Sequence, residues 1–268
     1  MYAHINEVDG KEISPGVVER VLMDPNNDIR PGFGARHYIL SNGGTLTFAE
    51  EMTEFQHYIV SGCVISHRSL IHQDTAVFRA AGSHGPGPNQ RLGLNRHSLI
   101  HAGEGESRII TFSHKLPRPA FRWAKSRSRN LFEVQSPHQD YEGYTQPITE
   151  EEHAIMGALR FHGVDIQTHP AGEMHGGRID PETGQWIGSR HNAECLYFLR
   201  GHGEAMEEGN IHKVSPGSFL FSRDFRPHGI RNTSDDILQY IVMELIEHDK
   251  SWTGRLYQGD ISPQAWEE

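Results

Sequence analysis

Three side chains in the second half of the sequence have types and a spacing that suit a metal site. His191 and Glu194 stand three positions apart beside the apolar run 195–201, and His228 follows the apolar run 217–222. If these runs are neighbouring antiparallel strands, the three side chains can point inward at one spot. Two imidazoles and one carboxylate on one side of an ion are the ligands of non-haem Fe(II) oxygenases, and manganese, nickel or zinc can take the same ligands. The sequence therefore predicts one divalent metal ion per chain, with Fe(II) favoured.

Histidine is frequent throughout the chain, with 19 residues spread from His4 to His248. It is the commonest metal ligand and the side chain that titrates near neutral pH. A single histidine is nevertheless more often an ordinary surface or core residue than a ligand. The metal hypothesis therefore depends on the joint spacing of the three side chains relative to Gly201, the run 217–222 and Asn232.

The stretches around these residues have the pattern of short β-strands. Apolar runs rich in β-branched and aromatic side chains are closed by Gly, Ser, Asn or Asp, which is typical of strands. The 28 glycines and 14 prolines suit a chain with many turns. The predicted strands are 57–65, 107–113, 195–201, 217–222 and 237–245, and turns are predicted at 42–44, 180–184 and 208–210.

One short helix is predicted over residues 149–161. Thr149 can cap it, and Glu152 stands three residues later, where it completes a capping box. Ile155, Met156 and Leu159 then share one face of the helix.

Residues 115–148 have the composition of a connector. The segment 115–130 carries six basic residues and no acidic one, and Pro137 and Pro147 interrupt the chain further on. Two interpretations are open for it. It is either a solvated linker or arm wrapped on the other half, or a lid that neutralises a carboxylate substrate.

The strand alternation predicts which side chains face the site. If Glu194 points inward, so does Phe198, whereas Cys195 and Tyr197 face outward or towards the other half of the chain. An inward His228 also places Ile230 and Asn232 on its own side. Four basic residues near the site are further candidate pocket residues: Arg190, Arg223, Arg226 and Arg231. Their side chains could pair with a substrate carboxylate, or they could only balance nearby acids.

The two halves of the chain resemble each other. His97-x-x-x-His101 in the first half aligns with His228-x-x-x-Asn232 in the second, and each pair precedes an apolar run. An internal duplication of an antiparallel β unit is the economical interpretation. The first half then offers a second, poorer candidate site at His57, His97 and His101, which we predict to be structural or vestigial.

The residues around the predicted site resemble the two motifs of the cupin superfamily. Glu194 lies seven residues before Gly201, as the first motif requires of its metal glutamate, and His228-x-x-x-Asn232 fits the end of the second. With its duplicated halves, the chain resembles a bicupin. The resemblance implies an all-β fold of two cupin-type double-stranded β-helix (jelly-roll) barrels in tandem. The boundaries we predict are an N-terminal barrel at 1–114, a connector at 115–148 and a C-terminal barrel with the metal site at 149–268.

The chain also departs from the cupin pattern. Only two residues separate His191 from Glu194, one fewer than in the motif, and Ser189 stands where the first histidine would be. Ser189 is therefore a candidate pocket residue, and His175 or His169 could supply a fourth ligand. In the first half, Phe55 occupies the glutamate position, which is why that site is predicted to be degenerate.

Three functions follow from the resemblance. The first is a non-haem Fe(II) oxygenase acting on a small organic or aromatic acid. The second is metal-assisted hydrolysis, isomerisation or lyase chemistry, because the overall plan is also similar to that of the ureidoglycine aminohydrolases. Their E-x-H-x(3)-H ligand group is absent here, since Gly188 and Arg190 stand at two of its places. The third is a non-catalytic cupin that binds a small molecule.

Charge and composition exclude several partners. Acidic residues number 35 against 25 lysines and arginines, a formal net charge of −10 that argues against nucleic acid as a partner. No apolar run reaches the length of a membrane span. The first ten residues predict no secretory signal, and two cysteines suit a reducing compartment, so we predict a cytoplasmic protein. The predicted partners are a carboxylate-bearing small molecule and a second copy of the chain, because strand edges commonly close by dimerisation.

Overall fold

The computed structural model of the protein describes residues 1–80, 94–116, 126–134, 143–155, 158 and 160–245. The first half of the chain runs through β1 (Tyr2–His4), β2 (Lys11–Ser14), β3 (Val17–Met23), β4 (Phe33–Ser41), β5 (Thr45–Glu51), β6 (Thr53–Ser61), β7 (Cys63–Ser66), β8 (Ser69–His72), β9 (Thr75–Arg79), β10 (Leu94–Ala102) and β11 (Glu106–Lys115). The middle segment contains β12 (Ser126–Asn130), a 3-10 helix (Leu131–Glu133), β13 (Tyr144–Ile148) and α1 (Glu150–Ile155). None of the helices in these ranges has the length and apolarity needed to span a membrane.

The second half repeats the strand plan of the first. It consists of β14 (Phe161–His169), β15 (Met174–His175), β16 (Gly177–Ile179), β17 (Trp186–Gly188), β18 (Ala193–Arg200), β19 (Gly203–Glu207), β20 (Asn210–Val214), β21 (Ser218–Ser222), β22 (His228–Asn232) and β23 (Leu238–Leu245).

The order of strands in the sheets bears out the predicted duplication. The N-terminal half contains the sheet β5-β10-β7-β8 and the C-terminal half the sheet β15-β22-β19-β20. The larger sheets correspond too, with β9-β6-β11-β4 in one half and β21-β18-β23-β14 in the other. His97 on β10 and His228 on β22 therefore occupy equivalent strands, as the sequence alignment predicts. The prediction of two tandem jelly-roll barrels is confirmed.

Each barrel also receives a strand from outside its predicted range, and the C-terminal sheet receives β13 of the predicted connector as well, through its pairing with β14. β1 pairs antiparallel with β21, so the first strand of the chain extends the C-terminal sheet, although it lies in the range 1–114. β12, from the predicted connector, pairs with β9 of the N-terminal sheet. These two pairings link the barrels through the backbone, and the exact domain boundaries stay a prediction.

The two large sheets pack face to face through a shared hydrophobic core. It joins residues of both halves, and Phe33 of β4 lies 5.3 Å from Phe221 of β21 between ring centroids. Cys195 and Tyr197 belong to this shared core, whereas Leu196 belongs to a separate cluster inside the C-terminal barrel. The predicted alternation along β18 is therefore confirmed, because its two faces line different cores.

One predicted strand is wrong. The apolar run 57–65 divides into β6 and β7, because the chain turns at Gly62. Gly62 has φ +75°, and a Cβ there would lie 2.5 Å from the Glu106 carbonyl oxygen. Only glycine adopts this conformation at so close an approach, so the hydrophobicity of the run hides the turn. The three turns at 42–44, 180–184 and 208–210 are confirmed between β4 and β5, β16 and β17, and β19 and β20.

The predicted helix is present but shorter than 149–161. The Thr149 hydroxyl accepts from the Glu152 backbone N–H at 3.1 Å, and the Glu152 carboxylate accepts from the Thr149 N–H at 3.1 Å, which confirms the capping box. Met156 and Leu159 lie outside the described residues. Glu152 also binds Arg127 at 2.8 Å and Arg129 at 2.7 Å. These two basic residues of the connector therefore bind an acid of the protein, while 117–125 lie outside the described residues.

Candidate metal centre

His191, Glu194 and His228 meet at one end of the C-terminal barrel, and we call them the metal triad. The Nε2 atoms of the two histidines lie 3.0 Å apart. The Glu194 carboxylate places Oε1 3.2 Å from His191 Nδ1 and Oε2 3.3 Å from His228 Nε2. One ligand atom from each residue lies within 4.8 Å of the others. The structure thus brings together the three residues that the sequence singles out.

Backbone hydrogen bonds hold the two histidines in place. His228, the first residue of β22, donates its N–H to the Ser189 carbonyl at 3.0 Å, and the Phe225 N–H donates to the His191 carbonyl at 2.6 Å. Glu194 is the second residue of β18, opposite Ser222 of β21 and Glu244 of β23. The triad therefore draws on a loop and two strands that belong to different sheets.

The strands around His228 approach closely because they carry glycine. A Cβ at Gly229 would lie 1.9 Å from the Gly176 carbonyl oxygen, and one at Gly188 would lie 2.6 Å from the His228 backbone nitrogen. No other residue fits at these two positions without moving the backbone.

The tautomer of His228 suits a metal ligand. The His228 Nδ1–H donates to the Arg226 carbonyl at 2.8 Å, which leaves the Nε2 lone pair directed at the site. Burial lowers the pKa of His191 more than the negative charge of Glu194 raises it. Burial also lowers the pKa of His228, but the hydrogen bond and charge of Glu194 outweigh burial, and the net shift is upward. Two imidazole nitrogens and a carboxylate converging on one point fit a divalent ion.

The cavity at the triad is of ionic size. Its volume is about 20 Å³, and its apolar wall is formed by Leu196, Ile230 and Val242. That volume holds one water molecule or ion and no organic molecule. A substrate that reaches the triad must therefore displace side chains that line the cavity.

His175 lines this cavity, while His169 lies behind it. The rings of the two histidines stack at 5.1 Å between centroids. His169 Nε2 lies 2.8 Å from the Tyr240 hydroxyl, which donates to Gln167 Oε1 at 2.8 Å. Neither histidine belongs to the group whose ligand atoms lie within 4.8 Å of one another. His175 as a fourth ligand stays a prediction.

Comparison with known proteins identifies the fold. Residues 178–244 match the family model of the cupin domain. The protein Ylba from E. coli superposes with a TM-score of 0.66 at 15% identity, covering 94% of this chain and 92% of that one. AerE from Microcystis aeruginosa gives 0.62 at 8% identity, with coverage of 90% and 97%. A variant of oxalate decarboxylase from Bacillus subtilis gives 0.60 at 11%, with coverage of 92% and 77%.

In fold, the chain is a bicupin. No curated protein matches it in sequence. At identities of 8–15% the similarity establishes the bicupin fold and leaves the reaction to the residues of the site.

None of the six predicted pocket residues lines the cavity at the metal triad. Arg223 is paired in a bidentate manner with Glu208, at 2.7 and 2.5 Å. Asn232 donates its amide to the carbonyls of His169 and Asp236, at 2.9 and 2.7 Å, and so shapes a turn. Arg190 and Arg226 are exposed. Ser189 forms an isolated β-bridge with His228, and Phe198 is buried in the interior of the barrel.

The role of these six residues in a substrate pocket stays a prediction, but alternation and spacing do not predict where the arginine side chains lie. These patterns fix the face of a strand on which a residue lies, but a long basic side chain turns towards the acid that it can reach. Arg223 reaches Glu208, and Arg231 likewise binds Glu204. These arginines therefore balance nearby acids, one of the two interpretations that the sequence left open.

The N-terminal barrel holds two of its three candidate residues together without a carboxylate. His57 and His97 lie 2.8 Å apart between Nε2 atoms, and His57 Nδ1 lies 2.9 Å from the Thr111 hydroxyl. The ring of Phe48 lies 4.9 Å from that of His57 and 4.7 Å from that of His97. His101 lies apart from them and contacts the Ser107 hydroxyl at 3.0 Å. Within the described parts of this barrel, no three metal-ligating residues converge.

The buried histidine pair makes stability depend on pH. Burial first, and the positive charge of Arg79 second, lower the pKa of His57 to about 3, whereas the unfolded chain binds this proton at about 6.5. Between these values the unfolded state binds more protons, so the free energy of unfolding falls as the pH falls. The substitution His57→Leu removes this titratable group. The decrease in the free energy of unfolding between about pH 6 and pH 4 should then be smaller than in the wild type by about 2.5 kcal/mol.

Urea denaturation at a series of pH values measures this effect. The control is His202→Leu, which changes an exposed histidine and should leave the slope as in the wild type. An unchanged slope for His57→Leu would mean that the ring is charged in the native protein.

A second cluster of titratable groups lies beside the triad, and the sequence reasoning missed it. His162 Nε2 lies 2.9 Å from Glu150 Oε2, and Glu244 brings a ligand atom within 4.8 Å of both. Burial first, then the negative charges of Glu194, Asp165 and Glu150, raise the pKa of Glu244 well above its ordinary range. A signal was available in the sequence: the inward face of β23 runs Leu238, Tyr240, Val242 and then an acid.

Proposed function

We propose that the protein is a metal-dependent bicupin enzyme, and specifically a non-haem Fe(II) oxygenase acting on a small organic or aromatic acid. The observation that carries the proposal is the convergence of the metal triad at an ion-sized cavity. Two imidazoles and one carboxylate on one side of an ion leave open positions opposite, which is the ligand arrangement of this class of oxygenases.

The metal ion would supply Lewis acidity and, as Fe(II), electrons for the reduction of oxygen. The protein's own groups would fix the geometry. The hydrogen bond from His228 to the Arg226 carbonyl sets the tautomer and orientation of that ring, and Glu194 would bring the negative charge. The apolar wall of Leu196, Ile230 and Val242 would exclude water from the reacting atoms.

Polar groups at the far side of the cavity could position the substrate. Tyr240 and Gln167 both line it and are already hydrogen-bonded to each other, so their orientation is fixed before a ligand arrives. His175 lines the cavity and is also exposed, which makes it the side chain that must move to admit an organic molecule. Because Arg190 and Arg226 are exposed and Arg223 binds Glu208, the ion itself would recognise a substrate carboxylate.

Oxygen uptake tests the proposal. Protein loaded anaerobically with Fe(II) should consume oxygen when one of a panel of aromatic and aliphatic acids is added, and His228→Ala should abolish the uptake. Turnover of an acid at the same rate under argon would contradict the oxygenase and leave a metal-dependent enzyme.

A second candidate is a hydrolase, isomerase or lyase that works without oxygen. The fold similarity to oxalate decarboxylase favours it, since that protein is named for a carbon–carbon cleavage. The resemblance of the sequence to the overall plan of the ureidoglycine aminohydrolases points the same way. The argon experiment separates the two classes. If no acid is turned over and a ligand only binds, the third candidate, a non-catalytic small-molecule-binding cupin, is correct.

The homodimer, the cytoplasmic location and the choice of Fe(II) over manganese, nickel or zinc stay predictions. For the dimer, the four-stranded sheets end in β8 and β20, where Leu70 is 52% and Ile211 is 55% exposed. Sedimentation of the untagged protein would measure the oligomeric state.

A further inference from the structure

We propose that Glu150, His162 and Glu244 form a second divalent-cation site, beside the metal triad and separate from it. Two carboxylates and one imidazole suit a hard-to-borderline ion such as Mn(II), Fe(II), Co(II) or Zn(II). The inference goes beyond the proposed function, because the reaction at the triad does not require this ion.

The three residues lie on three different elements of secondary structure. His162 of β14 and Glu244 of β23 are directly opposite each other in an antiparallel pair, so their side chains share one face of the sheet. Glu150 is the first residue of α1, and its Oε2 lies 2.9 Å from His162 Nε2. One ligand atom from each residue lies within 4.8 Å of the others.

Several carboxylates face the proposed site. Glu194 stands opposite Glu244 on β18, and Asp165 follows His162 on β14, so four carboxylates face this region around one imidazole. In the described part of the chain, no lysine or arginine forms an ion pair with Glu150 or Glu244, and Glu150 contacts the imidazole of His162. A divalent ion would balance this charge.

Glu244 has a ligand atom available for an ion. Its Oε2 is buried and accepts no hydrogen bond, although a buried carboxylate oxygen normally has a partner. Glu150, in contrast, is 42% exposed, which gives an ion a route from solvent to the buried pair. A buried acceptor without a donor, next to an exposed carboxylate, is the arrangement that a bound cation would complete.

The alternative is an ion pair between protonated His162 and Glu150, with a proton on Glu244. It predicts no binding of metal by these residues. The two alternatives differ in the number of ions per chain, so a count of bound ions decides between them.

The experiment is a titration of the metal-free full-length protein with MnCl₂, with free Mn(II) measured by its EPR signal. We expect two Mn(II) per chain in the wild type and one in Glu150→Gln, whose half-exposed position makes the substitution benign to folding. Glu151→Gln, an exposed acid on the same helix outside the cluster, is the matched control and should keep two. His162→Gln should also bind one.

The triad variant His228→Ala separates this inference from the proposed function. Two ions in the wild type, with one lost in Glu150→Gln and the other in His228→Ala, support both. One ion that is lost in His228→Ala and kept in Glu150→Gln overturns the second site alone. One ion that is lost in Glu150→Gln and kept in His228→Ala supports the second site and overturns the triad.

Discussion

His228→Ala should weaken binding of the ion at the metal triad by roughly 100-fold or more, since losing even a group that only orients a ligand costs about 10–100-fold. His228 Nε2 lies 3.0 Å from His191 Nε2 and 3.3 Å from Glu194 Oε2. Removing it leaves one imidazole and one carboxylate, which are too few to hold the ion against water. Affinity is measured by competition with a chromophoric chelator for Fe(II) or Zn(II).

The control for this prediction is His202→Ala, which removes an exposed histidine of the same barrel and should leave the affinity unchanged. Bound metal should also raise the melting temperature of the wild type, because an ion that binds only the folded state stabilises it, and this increment should shrink in His228→Ala. If His228→Ala keeps wild-type affinity, the triad is not the metal site.

Phe221→Ala should lower the free energy of unfolding by about 3–5 kcal/mol, the usual cost of removing a buried phenylalanine ring. The ring of Phe221 is fully buried on β21 in the core between the barrels, 5.3 Å from that of Phe33 of the N-terminal half. Its removal leaves a cavity between two sheets whose strands are held by backbone hydrogen bonds and cannot collapse into it.

Because that core belongs to both halves, we expect the whole chain to unfold in one transition, which Phe221→Ala shifts as a unit. Urea denaturation followed by far-UV circular dichroism and by tryptophan fluorescence measures it. Phe132→Ala is the control, since its ring is 84% exposed and should contribute almost nothing. Two separate transitions, with only one of them moved by Phe221→Ala, would show that the barrels are stable independently.

Much of the fold could be predicted because the information is local. Alternation placed Cys195 and Tyr197 on one face of β18 and Leu196 on the other, and the two faces line the two cores. Glycine and turn residues marked the hairpins, except at Gly62, where a run of apolar residues continues through the turn. The duplication was readable because His97 and His228 stand at equivalent places before equivalent strands.

For the second cluster, the strand pattern marks Glu244 as an inward-facing acid but does not identify its partners. Glu150, His162 and Glu244 come from a helix and two strands, and the first and last are 244 − 150 = 94 positions apart. Only the pairing of β14 with β23, and the position of α1 against β14, bring them within ligand distance.

The two-barrel architecture could be predicted from the sequence, and so could the convergence of His191, Glu194 and His228, because strand faces, turns and motif spacing are encoded within a few dozen neighbouring residues. The tertiary structure alone decided where the long side chains go. Arg223 binds Glu208 and points away from the site, and His57 and His97 form a buried pair among aromatic rings. The partners of these side chains depend on which charged groups and which packing surfaces the folded chain brings close to them. A local sequence pattern does not contain that information.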